Sequence, residues 1–258
     1  MKVAIVTGGG GAGCGRAIAR CFAREGAGII VSDIDATGGA ETVREIEREG
    51  GVATFEPSDI RNQEQVRRLI SFAEDRFGGL DYLINNASAP VHFEAPLDYW
   101  QDTIETDLLG AMYGIRAAID AFRRRGGGAV VNMTSISALP HGRAHPAPCY
   151  DAAKAGLLRL TMMLASLAAS EKIRINRLAP GWIATPQVQA YWEPLTPQER
   201  EFRGAPSRLL RLDEVAGAVF RLASDESLAG RVMIWWSEDS PKLIPWGDRG
   251  YSDLADVY

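Results

Sequence analysis

A tyrosine and a lysine lie four residues apart in the second half of the chain, as Tyr150 and Lys154. In a helix this spacing places both side chains on one face, where they can act on a single substrate. A phenol with a pKa of about 10 must lose roughly 3 units, or about 4 kcal/mol, to exchange protons near neutrality. An ammonium group about 4 Å away supplies an energy of that order. We therefore predict that Lys154 lowers the pKa of Tyr150, which acts as general acid and general base.

A serine at the end of an apolar run is the next member of this candidate catalytic site. Ser135 follows residues 129–134, which are typical of a buried strand, and precedes Tyr150 by 15 positions. In a parallel sheet the active edge lies just beyond the carboxyl ends of the strands. A hydroxyl there can hydrogen-bond a substrate oxygen whose charge changes. Ser137 is an alternative, but the strand end at Thr134 favours Ser135.

A glycine-rich turn and a following acid indicate a nucleotide site. The first apolar run leads into Gly8, Gly13 and Gly15 just before a helical pattern. Such glycines let the backbone approach a pyrophosphate at a helix N-terminus. Asp33 ends the next apolar run, 18 residues after Gly15, where its carboxylate can accept hydrogen bonds from the adenosine ribose. Because the carboxylate would repel a 2′-phosphate and no Lys or Arg adjoins it, we predict NAD rather than NADP.

These residues need a scaffold, and the hydropathy pattern indicates which one. Apolar β-branched runs alternate with longer segments of helical period, which is typical of βα units around a parallel sheet and predicts an α/β fold. Several runs are apolar at nearly every position, as in strands covered by helices on both faces. The predicted strands are residues 3–7, 28–33, 52–55, 80–85, 129–134, 173–178 and 232–236. The predicted helices are residues 15–25, 37–49, 63–77, 97–125, 150–170 and 213–223, with Asp213 as an N-cap.

The composition is that of a globular protein, with 258 residues of which 46% are apolar and 24% charged. A formal net charge of −5 gives no reason to expect nucleic acid or an anionic membrane as a partner. No apolar run reaches the roughly 18 residues of a membrane span, and the N-terminus leaves no room for a targeting segment. We expect a cytoplasmic protein with reduced thiols at Cys14, Cys21 and Cys149.

No internal repeat or linker divides the chain, so we expect a single domain over residues 1–258. Residues 180–206 break the helical and strand pattern with five prolines, and we expect an irregular insertion that covers the substrate. Residues 231–258 form a tail with an unusual aromatic content, which is typical of an interface. Its aromatic residues are Trp235, Trp236, Trp246, Tyr251 and Tyr258.

Histidines and aromatic residues are the expected lining of the substrate pocket. They are His92, Phe93, His141, His145, Trp182, Tyr191 and Trp192. His141, His145 and Cys149 also fall at four-residue intervals, which in a helix could indicate a metal site. Prolines around them preclude a regular helix, so we expect no metal.

Several of these features occur together in the order typical of one enzyme family. The glycine turn is followed by Asn85-Asn86-Ala87, Ser135, Tyr150-Asp-Ala-Ala-Lys154 and Pro180-Gly181-Trp182-Ile183-Ala-Thr185. In these motifs the chain resembles the short-chain dehydrogenase/reductase family, strongly over residues 2–187 and moderately over residues 207–230. The resemblance implies a Rossmann-type, doubly wound parallel sheet of seven strands with helices on both faces. It also implies hydride transfer between a nicotinamide cofactor and an alcohol or carbonyl.

The resemblance further assigns residues to positions along the cofactor. Asp33 would lie at the adenosine ribose, with Asp59 and Ile60 near the adenine. Tyr150 and Lys154 would lie at the nicotinamide ribose. The other implied cofactor contacts are Gly8, Gly13, Gly15, Asn86, Ala87, Pro180, Gly181, Ile183 and Thr185.

The chain departs from the family pattern at two places. Four residues separate Gly8 from Gly13 where three are usual, so we expect the turn to bulge. Asp107 stands where the family commonly has an asparagine, and it is either neutral or ionised beside Lys154. An alternative is a carboxylate that only hydrogen-bonds backbone or water.

Together these features predict an NAD-dependent alcohol dehydrogenase or ketone reductase that uses Ser135, Tyr150, Lys154 and Asp107. The predicted substrate is a hydrophobic or cyclic secondary alcohol, or the matching ketone. A homotetramer or homodimer is expected because the family is mostly oligomeric. Two alternatives stay open. In the first, the protein is a nucleotide sensor or scaffold without catalysis. In the second, it is a lyase or epimerase on the same fold.

Overall fold

Eight strands lie in one sheet in the computed structural model, which describes residues 1–91, 97–139 and 147–245. Their order is β3-β2-β1-β4-β5-β6-β7-β8, and all neighbours run parallel except β7 and β8. The strands are β1 (Val3–Thr7), β2 (Gly28–Asp33), β3 (Val52–Pro57), β4 (Tyr82–Asn85), β5 (Gly128–Met133), β6 (Ile173–Pro180), β7 (Val232–Trp235) and β8 (Lys242–Leu243).

Helices connect the strands and cover the sheet. Within the described ranges they are α1 (Cys14–Arg24), α2 (Ala36–Arg48), α3 (Gln63–Phe77), α4 (Trp100–Ile104), α5 (Ala111–Arg125), α6 (Pro148–Met163), α7 (Leu167–Glu171), α8 (Pro186–Trp192), α9 (Pro197–Arg203) and α10 (Leu212–Ser224). A π-helical turn, Glu105–Gly110, joins α4 to α5. A 3₁₀ turn, Ile136–Ala138, follows β5.

Two apolar cores lie on the two faces of the sheet. All five residues of β1 are buried, and they alternate between the cores as strand geometry requires. Val6 packs with Phe22 on the side of α1 and α10, whereas Ile5 packs with Phe122 on the side of α3 and α5. A strand buried on both faces needs apolar residues at every position. The predicted α/β fold, doubly wound and with helices on both faces, is confirmed.

The sheet has one strand more than the seven predicted. Residues after β7 turn back, with the Trp235 indole Nε1 donating to the carbonyl oxygen of Asp239 at 2.8 Å. Leu243 then pairs with Met233 in an antiparallel register. The short strand β8 therefore covers the edge of β7, which a sequence pattern of two residues does not indicate.

Three predictions about helices are wrong in detail. Residues 180–206 are not irregular throughout, because α8 and α9 form within them, each with a proline in its first turn. The predicted helix 97–125 contains the π-helical turn, which period analysis does not detect. Asp213 is not an N-cap, because Arg211 holds that position and its N–H donates to the Glu214 carboxylate at 2.9 Å.

The strand order determines where a ligand cleft can form. β1 lies between β2 and β4, so the chain reverses its direction across the sheet at this point. In open parallel sheets the crevice for a ligand lies there, beyond the carboxyl ends of the strands. The glycine turn follows β1, and Asn85 ends β4 with Asn86 and Ala87 directly after it. Both motifs therefore lie at the expected crevice.

Candidate active site

The glycine turn brings the end of β1 into very close contact with the start of α1. A Cβ atom at Gly15 would lie 2.0 Å from the carbonyl oxygen of Gly8, so only glycine fits at position 15. Gly8 itself has a φ of 67°, which favours glycine. Gly11 and Ala12, within the four-residue spacing that departs from the family pattern, are exposed. Gly13 caps α1 without a side-chain hydrogen bond, and the first N–H groups of the helix therefore remain available to an anion.

Asn86 and Ala87 hold the end of β4 against this turn. The Asn86 amide Nδ2 donates to the carbonyl oxygens of Thr7 at 3.0 Å and Gly8 at 3.2 Å. The backbone N–H groups of Asn86 and Ala87 donate to Thr7 Oγ1 at 3.0 and 3.2 Å. Asn86 therefore positions the turn through its own side chain.

Asp33 lies at the carboxyl end of β2, beside the glycine turn. Its Oδ2 accepts a hydrogen bond from the Gly10 N–H at 2.8 Å, and its Oδ1 accepts one from the Asp35 N–H at 2.9 Å. A carboxylate offers about four acceptor positions, so two remain for ribose hydroxyls. The half-buried Asp33 fits the adenosine end of a dinucleotide.

Asp59 and Ile60 lie beyond β3. Arg61 donates to the Asp59 carboxylate at 2.7 Å, and this hydrogen bond holds the pKa of Asp59 below its usual value. Ile60 packs on Gly110, where a Cβ atom would lie 2.7 Å from Ile60 Cδ1. The isoleucine thus joins this loop to the end of the π-helical turn.

The segment after β6 reaches across to the glycine turn. Pro180 ends the strand, and the Gly181 N–H donates to the carbonyl oxygen of Trp235 at 2.7 Å. Ile183 forms a parallel bridge with Leu210, which fixes the path of the segment. The Thr185 hydroxyl caps α8, and its Cγ2 lies 3.7 Å from the position of a Cβ at Gly13. The cleft is therefore bounded by β6 on one side and by the glycine turn on the other.

Ser135, Tyr150 and Lys154 come together at the edge of the sheet next to this cleft. The hydroxyl groups of Ser135 and Tyr150 are hydrogen-bonded to each other. Lys154 Nζ lies 5.3 Å from the centroid of the Tyr150 ring. Ser137 contacts Ser135, because its hydroxyl and its backbone N–H donate to Ser135 Oγ at 2.9 and 3.2 Å.

Asp107 forms a buried ion pair with the lysine of this group. Lys154 Nζ donates to Asp107 Oδ1 at 2.9 Å and to the carbonyl oxygen of Met133 at 3.3 Å. Both charged side chains are at most 4% exposed, so water does not screen the pair. Within the described part of the chain, Asp107 Oδ2 has no hydrogen-bond partner. Of the states that the sequence left open for Asp107, the geometry is that of a carboxylate beside the ammonium.

Burial and the charge of Asp107 oppose the effect of the lysine on the pKa of the tyrosine. Burial raises the pKa of Tyr150 above its usual value, and the attraction of Lys154 does not overcome it. The charge of Asp107 raises the pKa of Tyr150 further, whereas the hydrogen bond with Ser135 lowers it. Burial lowers the pKa of Lys154, but Asp107 and Tyr150 outweigh it and hold that pKa above its usual value. Lys154 therefore lowers the pKa of Tyr150 as predicted, but in the protein alone burial outweighs this effect and the pKa stays above its usual value.

A small cleft opens at Tyr150. Its lining combines apolar and polar side chains and consists of Pro90, Val91, Tyr99, Thr103, Ala147, Cys149 and Tyr150. The sequence analysis missed Tyr99 and Thr103. Tyr99, Thr103 and Asp107 follow one another at four-residue intervals, a pattern that could have indicated a common helix face.

The predicted pocket residues are only partly brought together. His92, Phe93, His141 and His145 lie outside the described residues, as do Trp246, Tyr251 and Tyr258 of the tail. The rings of Trp182 and Tyr191 lie 6.0 Å apart. Trp192 is directed elsewhere, since its Nε1 donates to the carbonyl oxygen of Pro206 at 2.8 Å and Arg200 stacks on its ring.

The described residues form neither a metal site nor a membrane-spanning helix. Across residues 1–91, 97–139 and 147–245, no three His, Cys, Asp or Glu side chains are grouped to hold a metal ion. None of the helices in those ranges has the length and apolar composition of a membrane span. All three cysteines are free thiols, and burial raises the pKa of Cys14 beside the glycine turn to about 12.

The chain is similar to known proteins over most of its length. A family model described as enoyl-(acyl carrier protein) reductase matches residues 9–231. The chain is 35% identical over 241 residues to 3β-hydroxysteroid dehydrogenase 1 of Eggerthella lenta, with 88% of each chain covered. It is 36% identical over 232 residues to cis-4-hydroxycyclohexanecarboxylate dehydrogenase of Sinomonas cyclohexanicum, with 87% of this chain and 90% of that protein covered. The chain belongs to the short-chain dehydrogenase/reductase family.

The solved structures agree with this assignment. One of them, assigned as a short-chain alcohol dehydrogenase from Sinorhizobium meliloti 1021, superposes with a TM-score of 0.81 and is 31% identical. The superposition covers 90% of this chain and 94% of that one. As a short-chain dehydrogenase/reductase, the protein is an oxidoreductase that uses a nicotinamide cofactor and a small-molecule substrate. The match ends at residue 231, where the aromatic tail begins.

Proposed function

We propose that this protein interconverts a secondary alcohol and a ketone and uses NAD as its cofactor. The observation that carries the proposal is the group formed by Ser135, Tyr150 and Lys154. The serine hydroxyl is hydrogen-bonded to the phenol of Tyr150, and Lys154 Nζ lies 5.3 Å from the centroid of the phenol ring. A proton-transferring phenol beside the cleft of an oxidoreductase fits a reaction that moves one proton with each hydride.

Each side chain has a separate task in this reaction. The nicotinamide, when bound, accepts or supplies the hydride. Tyr150 Oη accepts the hydroxyl proton in alcohol oxidation and returns a proton to the carbonyl oxygen in reduction. Ser135 Oγ accepts hydrogen bonds from the hydroxyl and N–H of Ser137, and its own hydrogen is bonded to Tyr150 until a substrate oxygen enters between the two hydroxyl groups. That hydrogen can bond the substrate oxygen as negative charge develops on it.

Lys154 retains one donor for the cofactor. An ammonium group has three N–H bonds, and those of Lys154 reach Asp107 Oδ1 and the Met133 carbonyl oxygen. The third can donate to a ribose hydroxyl. This role orients the cofactor and does not require Lys154 itself to exchange a proton.

The preference for NAD rests on Asp33. Its carboxylate is fixed by the N–H groups of Gly10 and Asp35, so it cannot easily turn away from the ribose. A 2′-phosphate there would meet a negative charge at short range. The glycine cradle, the uncapped start of α1 and this acid together fit a dinucleotide whose adenosine ribose carries free hydroxyls.

The substrate class follows from the lining of the cleft and from two relatives. The side chains of Pro90, Val91 and Ala147 give the cleft an apolar wall, and Tyr99 and Thr103 add hydroxyl groups. The names of the two curated relatives specify a hydroxyl group on a steroid and on a cyclohexane ring. These observations support a hydroxyl group on an aliphatic ring as the substrate, and we propose a cyclic secondary alcohol as the substrate class.

We also propose a cellular compartment and an oligomeric state for the protein. Its three cysteines are free thiols, as is usual in the reducing cytoplasm, where NAD is available. We propose that it acts there as a homotetramer or homodimer.

The decisive experiment is Tyr150→Phe. With NAD⁺ and a panel of cyclic alcohols, reduced nicotinamide should form at a rate that falls by about 1000-fold in the variant, because the proton acceptor is gone. NADH affinity, measured by fluorescence titration, should stay within about threefold of the wild-type value, since no hydrogen bond to Asp33 or the glycine turn is lost.

Tyr82→Phe is the matched control. Tyr82 is the first residue of β4, so it lies at the end of the strand away from the cleft, where it packs against Phe22. It should leave the rate unchanged. Full activity in Tyr150→Phe would contradict the proposed mechanism. If the wild-type protein binds NADH but oxidises no alcohol, the result would favour a nucleotide-binding protein without catalysis, and product analysis would identify a lyase or epimerase.

A further inference from the structure

Arg177 is the largest fully buried side chain of the described residues, and it has no visible partner there. Its side chain has no exposed surface, and none of its three guanidinium nitrogens makes a hydrogen bond. No carboxylate of the described chain lies within ion-pair distance of it. A buried and unpaired charge is costly, so its presence in the middle of β6 calls for an electrostatic explanation.

The sheet register places Arg177 beneath the helix that carries the catalytic residues. Arg177 pairs with Asn132 on the neighbouring strand β5, and paired residues of parallel strands project to the same face. Asn132 Nδ2 donates to Thr161 Oγ1 of α6 at 3.0 Å, so this is the face that α6 covers. Lys154 Nζ reaches the carbonyl oxygen of Met133, the residue after Asn132. Arg177 therefore lies on the face of the sheet that α6 covers, in the strand next to the one whose Met133 carbonyl oxygen accepts from Lys154.

The charges at this place balance only if Arg177 is counted. Asp107 and Lys154 carry opposite charges and form a pair, so together they offer Tyr150 little net positive charge. Arg177 restores one positive charge to the buried group. When the Tyr150 phenol loses its proton, the sum of the phenolate, Asp107, Lys154 and Arg177 is zero.

We infer that Arg177 is a positioning residue for the proposed reaction: it supplies the positive charge at Tyr150 that Asp107 takes away from Lys154. This inference rests on the proposed function of Tyr150. Arg177 touches neither the cleft nor the phenol, and it acts through its field across the face of the sheet. Asp107 and Arg177 are therefore expected to compensate each other.

The remaining charged groups do not replace Arg177. On the elements packed here, Asp107 belongs to the π-helical turn, Tyr150, Asp151 and Lys154 belong to α6, and Arg177 belongs to β6. Asp151 is negative and raises the pKa of Tyr150. Burial lowers the pKa of Arg177 to about 9, so the guanidinium is still charged at neutral pH. Its charge reaches Lys154, whose pKa it lowers.

The test uses four variants of the full chain: Arg177→Met, Asp107→Asn, the double variant, and Arg177→Lys. Methionine fills a similar volume without charge, and replacing an unpaired buried charge by an apolar group need not destabilise the fold. The readout is the titration of Tyr150 in protein labelled with ¹³C at the tyrosine Cζ. The Tyr150 signal is identified by its absence in Tyr150→Phe.

We expect Arg177→Met to raise the titration midpoint of Tyr150 by about 1 pH unit, because the phenolate loses a nearby positive charge. Asp107→Asn should lower it by about 1 unit, and the double variant should return to within about 0.3 units of the wild-type midpoint. Arg177→Lys, which keeps a charge, should stay near the wild-type midpoint. The alkaline limb of the rate of alcohol oxidation should shift in the same directions.

An unchanged or lowered midpoint in folded Arg177→Met would overturn the inference, as would a double variant whose midpoint equals that of Asp107→Asn. A residue that only fills space would change thermal stability without moving the midpoint. The titration does not depend on turnover, so it tests Arg177 even if no alcohol is oxidised. Inactivity of the wild-type protein would contradict the proposed function alone.

Discussion

The side-chain amide of Asn86 holds the end of β4 to the glycine turn through hydrogen bonds of 3.0 Å to the Thr7 carbonyl oxygen and 3.2 Å to that of Gly8. The resemblance to known dehydrogenases placed Asn86 along the cofactor. In the structure its amide is used by the protein itself, so its influence on a nucleotide acts through the shape of the turn. The start of α1 is thereby held close to the end of β4, because the Asn86 amide also lies against Gly15.

The first prediction concerns this clamp. Asn86→Ala removes two donors and should weaken NADH binding by about 10-fold, because the turn is no longer held in its binding shape. Fluorescence titration measures the affinity. Asn62→Ala is a suitable control, since Asn62 caps α3 away from the cleft through hydrogen bonds to Glu64 and Gln65. The control should lower thermal stability but leave the affinity unchanged, and equal affinity loss in both variants would contradict the role of Asn86.

A second prediction concerns the choice of cofactor. Asp33→Asn keeps an oxygen that can accept from the Gly10 N–H but removes the negative charge. The ratio of kcat/KM for NAD⁺ over NADP⁺ should fall by about 10-fold or more, because repulsion of the 2′-phosphate is lost. Asp35→Asn removes a charge two residues away, at the cap of α2, and should leave the ratio close to the wild-type value. A wild-type protein that prefers NADP⁺ would refute the assignment of NAD.

A third prediction concerns stability and pH. Asp81 is buried directly before β4, and it accepts hydrogen bonds from the Val3 N–H at 2.9 Å and from Lys2 and Arg125. Burial opposes the ionisation of Asp81, but these hydrogen bonds outweigh it and hold its pKa below the usual value. A lowered pKa in the folded state stabilises the fold above the unfolded-state pKa of about 4, and the contribution disappears as pH falls through the lowered value.

Asp81→Asn should therefore reduce the free energy of unfolding by about 1–3 kcal/mol at pH 7, as measured by denaturant titration. The difference from wild type should shrink as the pH is lowered below about 4, where the wild-type carboxylate also becomes protonated. Asp120→Asn, at an exposed site on α5 beside Arg116 and Arg123, should have a much smaller effect. A difference that grows towards acid pH would contradict this account of Asp81.

The last prediction concerns assembly. Trp236, just after β7, is 44% exposed, and the aromatic tail continues beyond the described residues. We expect the full chain to be a homotetramer or homodimer by light scattering. Deletion of residues 245–258, which leaves β8 in place, should lower the mass in solution if the tail packs on a neighbouring subunit. A monomer that the deletion does not change would show that the tail packs on its own subunit.

The sequence by itself determined the fold and the membership of the family. Alternation of apolar runs and helical periods depends on local geometry, so seven strands and most helices were predicted within a few residues. The catalytic motif is also local, because four residues of helix place Tyr150 and Lys154 together whatever surrounds them. The roles of these residues stay predictions until the variants are measured.

Only the tertiary structure decided the electrostatics of the site. The π-helical turn brings Asp107 to 2.9 Å from Lys154, and the register of β5 with β6 brings Arg177 beneath α6. Asp107 and Lys154 are 47 positions apart in the chain, and Lys154 and Arg177 are 23 positions apart. No local sequence pattern connects residues at such distances. The pKa of Tyr150 depends on burial and on charges contributed by separate elements, and such sums exist only once the chain has folded.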